Sequence, residues 1–239
     1  MGLFEKKKSA ISVFEGYVDA HCHILPGVDD GVQSLESSLR ILDRYEKAGA
    51  KGVCFTPHVM EDVPNTPEEL RERFENLKAN YTGSLKLSLA SENMMDELFE
   101  KRLSEKRFLP IGGVRLLVET SYYNPPINMD ELLYGVSSAG YFPILAHPER
   151  YVYMDEKDYS RLKERGIAFQ LNLSSLIGCY GKVAQAKAER MLSKGMYDYL
   201  GTDLHRESLL DIIEKRTLGK KQFALLEPLV RNNSELSEN

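Results

Sequence analysis

The sequence predicts an α/β fold in which parallel strand–helix units close into a single barrel, and three observations point there. Apolar runs of strand length alternate with amphipathic helical stretches along the chain. The runs crowd apolar and β-branched residues together without strict alternation, as strands covered on both faces do. The length of 239 residues, with 42% hydrophobic and 28% charged positions, suits one barrel of ordinary globular composition. The expected unit is one domain over residues 1–239, with a frayed tail over Asn232–Asn239.

Seven runs read as strands: Gly16–His21, Gly52–Thr56, Leu85–Ala90, Val114–Val118, Phe142–Ala146, Ile167–Leu173 and Tyr197–Gly201. Helix signals fill the intervals. Ser34 caps a helix over Leu35–Ala48, with Gly49 where a left-handed C-terminal residue belongs. Thr66, Pro67 and Glu69 form a capping box with proline at the first helical position, opening a helix toward Asn80. Further helices fit Asp130–Ala139, Glu156–Arg165 and Lys182–Lys194, each followed by a glycine. No linker, repeat or low-complexity block interrupts the pattern.

Charge and cysteines narrow the function. A net charge of −5 gives no electrostatic reason to bind nucleic acid or anionic lipid. Residues 1–14 lack an apolar stretch long enough for a signal peptide, no run approaches a membrane span, and Lys6 stands where a myristoylation site has Ser or Thr. A cytoplasmic protein with reduced Cys22, Cys54 and Cys179 is the expectation. Lys6–Lys8 reads as a solvated terminus. A cysteine phosphatase needs an arginine six positions after its thiolate, and Val28, Met60 and Gln185 occupy those places. No Gly-x-Ser-x-Gly elbow occurs either.

The five histidines all fall at strand ends: His21 and His23 after the first run, His58 after the second, His147 after the fifth and His205 after the seventh. Glu92 and Glu119 end the third and fourth runs, and Asp203 ends the seventh. In a parallel barrel these ends share one rim, where donors distant in sequence converge. Extended residues i and i+2 point the same way, so His21 and His23 act together with Cys22 turned aside, as do Asp203 and His205. Imidazole with carboxylate suits Zn, Mn or Fe, and so large a set suits two or three ions. Such ions lower the pKa of bound water and offset phosphoryl charge. Arg150, beside His147, offers a planar fork for phosphate, or else an ion pair with Glu149 or another carboxylate. Asp19 shares the face of His21 and His23 and reads as a group that orients an imidazole. Asp29 and Asp30, beside Gly31, read on their own as turn formers. Tyr122 and Tyr123 either stack on a substrate ring or pack against the rim.

Several segments together resemble a known family. Asp19–His23, Leu25–Gly31, Thr56–His58, Ala146–Arg150 and Thr202–His205 are similar, in order and spacing, to the polymerase-and-histidinol-phosphatase (PHP) superfamily. More narrowly they resemble its bacterial protein-tyrosine phosphatases of the capsule and exopolysaccharide type; His23–Gly31 is the most specific stretch. The resemblance implies a distorted (β/α)7 barrel and a manganese site of two or three divalent ions, with Fe, Zn or Mg as alternatives. It implies hydrolysis of phosphotyrosine on a membrane-associated tyrosine autokinase. It also implies metal ligands at His21, His23, Asp30, His58, Glu92, Glu119, His147, Asp203 and His205, with Asp30 aiding proton transfer and Arg150 binding the phosphoryl group. The family often places another arginine several residues past the last histidine; here Arg206 follows His205 directly, and the next basic residues are Lys215 and Arg216. A small-molecule phosphatase, or a non-catalytic metal-binding regulator of polysaccharide export, is the alternative function. The sequence leaves a homo-oligomer open.

Overall fold

The computed structural model describes residues 7–236, so the start of the chain through Lys6 and the last three residues lie outside the described residues. The strands are β1 (Lys8–Ser9), β2 (Val18–Cys22), β3 (Gly52–Phe55), β4 (His58–Val59), β5 (Lys86–Leu89), β6 (Glu92–Met94), β7 (Arg115–Glu119), β8 (Phe142–Ala146), β9 (Ala168–Asn172), β10 (Tyr199–Gly201) and β11 (Thr217–Leu218). Between β2 and β10 every pairing is parallel, and β2-β3-β5 and β4-β6-β7-β8-β9-β10 form two curled sheets. The short β1 and β11 pair antiparallel away from them.

The closed barrel expected from the sequence is therefore corrected to an open, half-barrel curl, in which the seven expected runs meet nine strand segments, β2 to β10. Two expected strands run on beyond a break into short added segments. β3 continues as β4 past Pro57, which has no N–H to add to a ladder. β5 continues as β6 past Ser91, whose N–H turns out to the Leu109 carbonyl (2.9 Å). At the far side β2 and β10 share no ladder. They meet at a bridge between Cys22 and Leu204, flanked by Asp203 N donating to the His21 carbonyl at 2.8 Å. β10 stops short because Asp203 takes a left-handed backbone (φ +52°), which ends an extended strand.

That seam is stapled by side chains. Asp19, wholly buried, accepts from Thr202 N (3.0 Å) and Thr202 Oγ1 (2.5 Å) across the gap, and from Tyr17 Oη (2.9 Å) and Tyr45 Oη (2.7 Å). A second buried cluster packs the small residues Ala20, Cys54, Ala90 and Ala146 with Ile111, Leu117, Ile144 and Leu236.

Helices sit where the sequence places them, within a residue or so: α1 (Leu35–Lys47), α2 (Pro67–Asn80), α3 (Phe99–Ser104), α4 (Met129–Ser138), α5 (Glu156–Glu164), α6 (Leu173–Leu176), α7 (Gly181–Ser193), α8 (Glu207–Lys215) and α9 (Lys220–Glu235). Thr66 and Glu69 form the expected reciprocal cap on α2. Of these, α3, α6, α8 and α9 are additions to the sequence reading. The frayed tail is a correction: α9 runs through Asn232, and Asn233 is fully buried. Asn233 Nδ2 donates to the Val18 and Leu200 carbonyls (2.7 and 2.6 Å), and its Oδ1 accepts from Leu200 N at 3.1 Å.

The tail thus ties β2 to β10 where the sheet does not. Asn233→Ala removes these bonds from Val18 O and Leu200 N and leaves Leu200 O with Tyr17 Oη alone (3.0 Å), a loss of about 2–4 kcal/mol. Thermal unfolding of the full chain should show a midpoint lower by roughly 5–10 °C. An unchanged midpoint would remove the tail from the folded unit.

Candidate metal centre

The strand order brings all nine sequence-expected donors to one rim. β2 supplies His21 and, just past its end, His23; β4 supplies His58, β6 Glu92 and β7 Glu119. His147 follows β8, and Asp203 and His205 follow β10. The first two imidazoles meet with Nε2 atoms 3.1 Å apart. Glu92 Oε2 lies 3.2 Å from each of these and 3.1 Å from His58 Nδ1. His58 Nδ1 is also 3.1 Å from Glu119 Oε1, and His147 Nε2 is 3.0 Å from Glu92 Oε1. Asp203 Oδ1 lies 3.4–3.6 Å from ring nitrogens of His21, His23 and His205. Asp30 stands at the solvent mouth with its side chain 73% exposed, and its Oδ1 is 3.5 Å from His58 Nε2 and 3.4 Å from His205 Nε2.

Three overlapping groups have donor atoms within 4.8 Å of one another: His23, Asp30, His58 and His205; His21, His23 and Glu92; and His58, Glu92 and Glu119. His23, His58 and Glu92 each belong to two of them. The donor chemistry fits divalent cations. Glu92 Oε2, Glu119 Oε1 and His58 Nδ1 are buried without a hydrogen-bond partner, although they face one another at 3.1 Å. Buried polar atoms are rarely left so, and a shared cation satisfies all three at once.

Surrounding groups aim the rings. His21 Nδ1 faces Gln170 Oε1 at 2.8 Å and His23 Nδ1 faces Asp29 Oδ2 at 2.9 Å, so both Nε2 atoms turn inward. Asp29 also accepts from His58 N (3.0 Å) and Gly31 N (2.9 Å), which makes it more than a turn former. The orienting role expected of Asp19 is corrected: it reaches His21 only at the backbone N–H (3.2 Å) and holds strands, not rings. Gln170 escaped the sequence reading, although a lone amide in the apolar run Ile167–Leu173 was a visible signal. Close approach demands glycine nearby: a Cβ on Gly201 would lie 2.5 Å from His21 Cβ and 2.6 Å from Gln170 Nε2.

His147 (φ +34°) and Asp203 (φ +52°) hold left-handed backbones that non-glycine residues seldom adopt. Arg150, in the short 3-10 turn after His147, donates from Nη1 to Asp203 Oδ2 at 2.6 Å. Its expected alternative partner, Glu149, is buried elsewhere; it accepts from Asn172 N (3.1 Å) and Tyr197 Oη (3.0 Å), and burial pushes it up to about 7. Tyr122 packs against the Arg150 guanidinium at 4.2 Å, whereas Tyr123 is 73% exposed.

Burial alone would lower His21, but the charge of Glu92 and its hydrogen bond outweigh that and hold it at about 9. Burial likewise opposes His58, yet the facing carboxylates of Glu119 and Glu92 raise it to about 12. Burial and the charge of Arg150 lower His147 to about 4. Metal-free, the cluster therefore carries imidazolium at His21 and His58 at pH 7, and an imidazole must lose its proton to ligate. The raised pKa sets the sign: the imidazolium–carboxylate pairs stabilise below these values and are lost as pH rises through them. Loading metal-free protein with Mn²⁺ at pH 7, by calorimetry in buffers of different ionisation enthalpy, should release more than one proton per chain. The number should fall as pH passes about 9. Asp29→Ala, which frees the His23 ring, should weaken metal affinity by about 10–100-fold; unaltered affinity would deny that contact its role.

Comparison with known proteins agrees with this geometry. The chain is 26% identical over 235 residues to the tyrosine-protein phosphatase YwqE of Bacillus subtilis, covering 91% of this chain and 92% of that one. It is 26% identical over 208 residues to the tyrosine-protein phosphatase CpsB of Streptococcus agalactiae, covering 79% and 82%. A crystal structure from work on YwqE of B. subtilis and CpsB of Streptococcus pneumoniae, described as unique metal-dependent tyrosine phosphatases, superposes with a TM-score of 0.73 at 26% identity, over 90% of this chain and 95% of that one. The family model for capsular polysaccharide synthesis, CpsB/CapC, matches residues 17–211, and the chain belongs to that family.

Proposed function

We propose that the protein is a manganese-dependent protein-tyrosine phosphatase that acts on a membrane-associated tyrosine autokinase and so regulates capsular or exopolysaccharide synthesis. The observation that carries this reading is the rim itself: seven imidazole and carboxylate residues form three overlapping donor groups, His147 and Asp203 lie against them, and Arg150 pairs with Asp203 beside them. Similarity to the metal-dependent tyrosine phosphatases YwqE and CpsB supports the same reading. We take residues 1–239 as one domain working in the cytoplasm. Among the described residues no helix is long and apolar enough to cross a membrane.

His21, His23, His58, Glu92, Glu119, His147, Asp203, His205 and Asp30 would hold the ions. Bound divalent ions supply an activated water nucleophile and offset charge on the phosphoryl oxygens. Glu92, which belongs to two donor groups, would help to hold the ions in both. Asp30 is reachable from solvent and close to His58 and His205, so it can pass a proton between water and the site. Arg150 commits one nitrogen to Asp203 and keeps the rest of its fork for a phosphoryl oxygen. The leaving phenol has a pKa of about 10, so it departs with less acid assistance than an alkoxide needs.

Manganese-loaded protein should hydrolyse a phosphotyrosine peptide. Arg150→Ala should keep its metal while kcat/KM falls by roughly 10²–10³-fold, in the range of losing one transition-state charge partner. His21→Ala should lose both metal and turnover. Loaded protein that cleaves another phosphate ester but leaves phosphotyrosine peptides intact would overturn the substrate.

A further inference from the structure

The fork of Arg150 is held by more than its salt bridge. Its guanidinium carbon lies 4.2 Å from the centroid of the Tyr122 ring and 4.0 Å from that of Tyr180. Two aromatic rings therefore pack on the one guanidinium at cation–π distance. The rings come from different elements. Tyr122 follows β7, fixed by Val152 N donating to its carbonyl (2.9 Å); Tyr180 caps α7 after a tight turn at Gly178 (φ +84°). The Arg150 side chain is only 14% exposed, and Asp203 is its one hydrogen-bond acceptor among the described residues. Tyr180 reaches the same acceptor, with its Oη 3.4 Å from Asp203 Oδ2.

We propose that Tyr122 and Tyr180 are positioning residues that clamp the guanidinium plane of Arg150, so that its free N–H groups meet a phosphoryl oxygen without searching for an orientation. The idea rests on the phosphatase reading above. An arginine side chain has much rotamer freedom to lose on binding an anion, and a guanidinium already fixed in a plane loses less. Two rings packed on one guanidinium restrict its rotation and leave N–H groups for an anion, because cation–π attraction and hydrogen bonding use different parts of the group. The same contact decides the reading of Tyr122: the face turned to the arginine is covered, and substrate cannot stack there. Tyr180 is itself 38% exposed, so shortening it disturbs little of the core.

The clamp is tested on the manganese-loaded full chain with inorganic phosphate as probe, its Kd read by calorimetry, beside turnover of a phosphotyrosine peptide. Tyr180→Leu and Tyr122→Leu should each weaken phosphate binding about tenfold and raise KM similarly, with metal content unchanged and kcat lowered less than KM rises. Tyr180→Phe and Tyr122→Phe keep the rings and should restore binding. In an Arg150→Ala background, Tyr180→Leu should add no further loss, because the ring acts through the arginine. Leucine variants that bind phosphate as tightly as the active wild type, or losses that persist in full without Arg150, would overturn the clamp alone. A metal-loaded wild type that neither binds phosphate nor cleaves any phosphate ester would overturn the phosphatase reading, and the clamp with it.

Discussion

Everything at the rim follows from the burial of three carboxylates within reach of one another. Glu92, Glu119 and Asp203 are almost wholly excluded from water, and a bare carboxylate in that setting is expensive. Protons on His21 and His58 answer part of that charge in the metal-free cluster, and the orphaned oxygens of Glu92 and Glu119 show that protons answer it incompletely. Divalent cations held by the overlapping donor groups would supply the remainder. Packing could have filled the space with leucine; the fold instead spends strand ends on charge, which makes sense only where the charge is used.

The open seam belongs to the same logic. A regular ladder between β2 and β10 would need extended backbone through Asp203, but that residue turns left-handed and aims its carboxylate across the rim. Pairing is surrendered there and recovered by side chains: Asp19 binds Thr202 from within, and Asn233 binds Val18 and Leu200 from α9. His147 makes the same backbone sacrifice at the end of β8. Distortion of the barrel is thus concentrated at the donors, as expected where strain is held in place by the surrounding structure.

Much of this was legible in the sequence because spacing survives folding. The i, i+2 pairs and the placement of Glu92 and Glu119 at apolar run ends project directly onto a shared rim, and the Thr66–Glu69 box fixes its helix start locally. What escaped depends on contacts between distant segments. Nothing near Gln170 announces that it faces His21, and nothing near Tyr180 announces Arg150, since those meetings are set by strand order. Asp19 was misread because its face, deduced from alternation, ignored the register shift in β2 between Asp19 and Cys22. The tail misled for another reason: Asn232–Asn239 is polar enough to look solvated, yet Asn233 is polar because the seam it closes presents strand carbonyls and an N–H.

Asp203 connects the two halves of the site. Its Oδ1 faces the imidazoles, while its Oδ2 accepts from Arg150 (2.6 Å) and Asn172 Nδ2 (2.8 Å). Asn172 in turn offers its backbone N–H to Glu149, so the turn carrying His147 and Arg150 is anchored to the strand beside it. Arg150 and the imidazoles of the rim therefore share one carboxylate on a strained backbone. That common anchor fixes the arginine one short turn from a rim histidine, and electrostatic help to a developing charge works only when its donors are fixed beforehand.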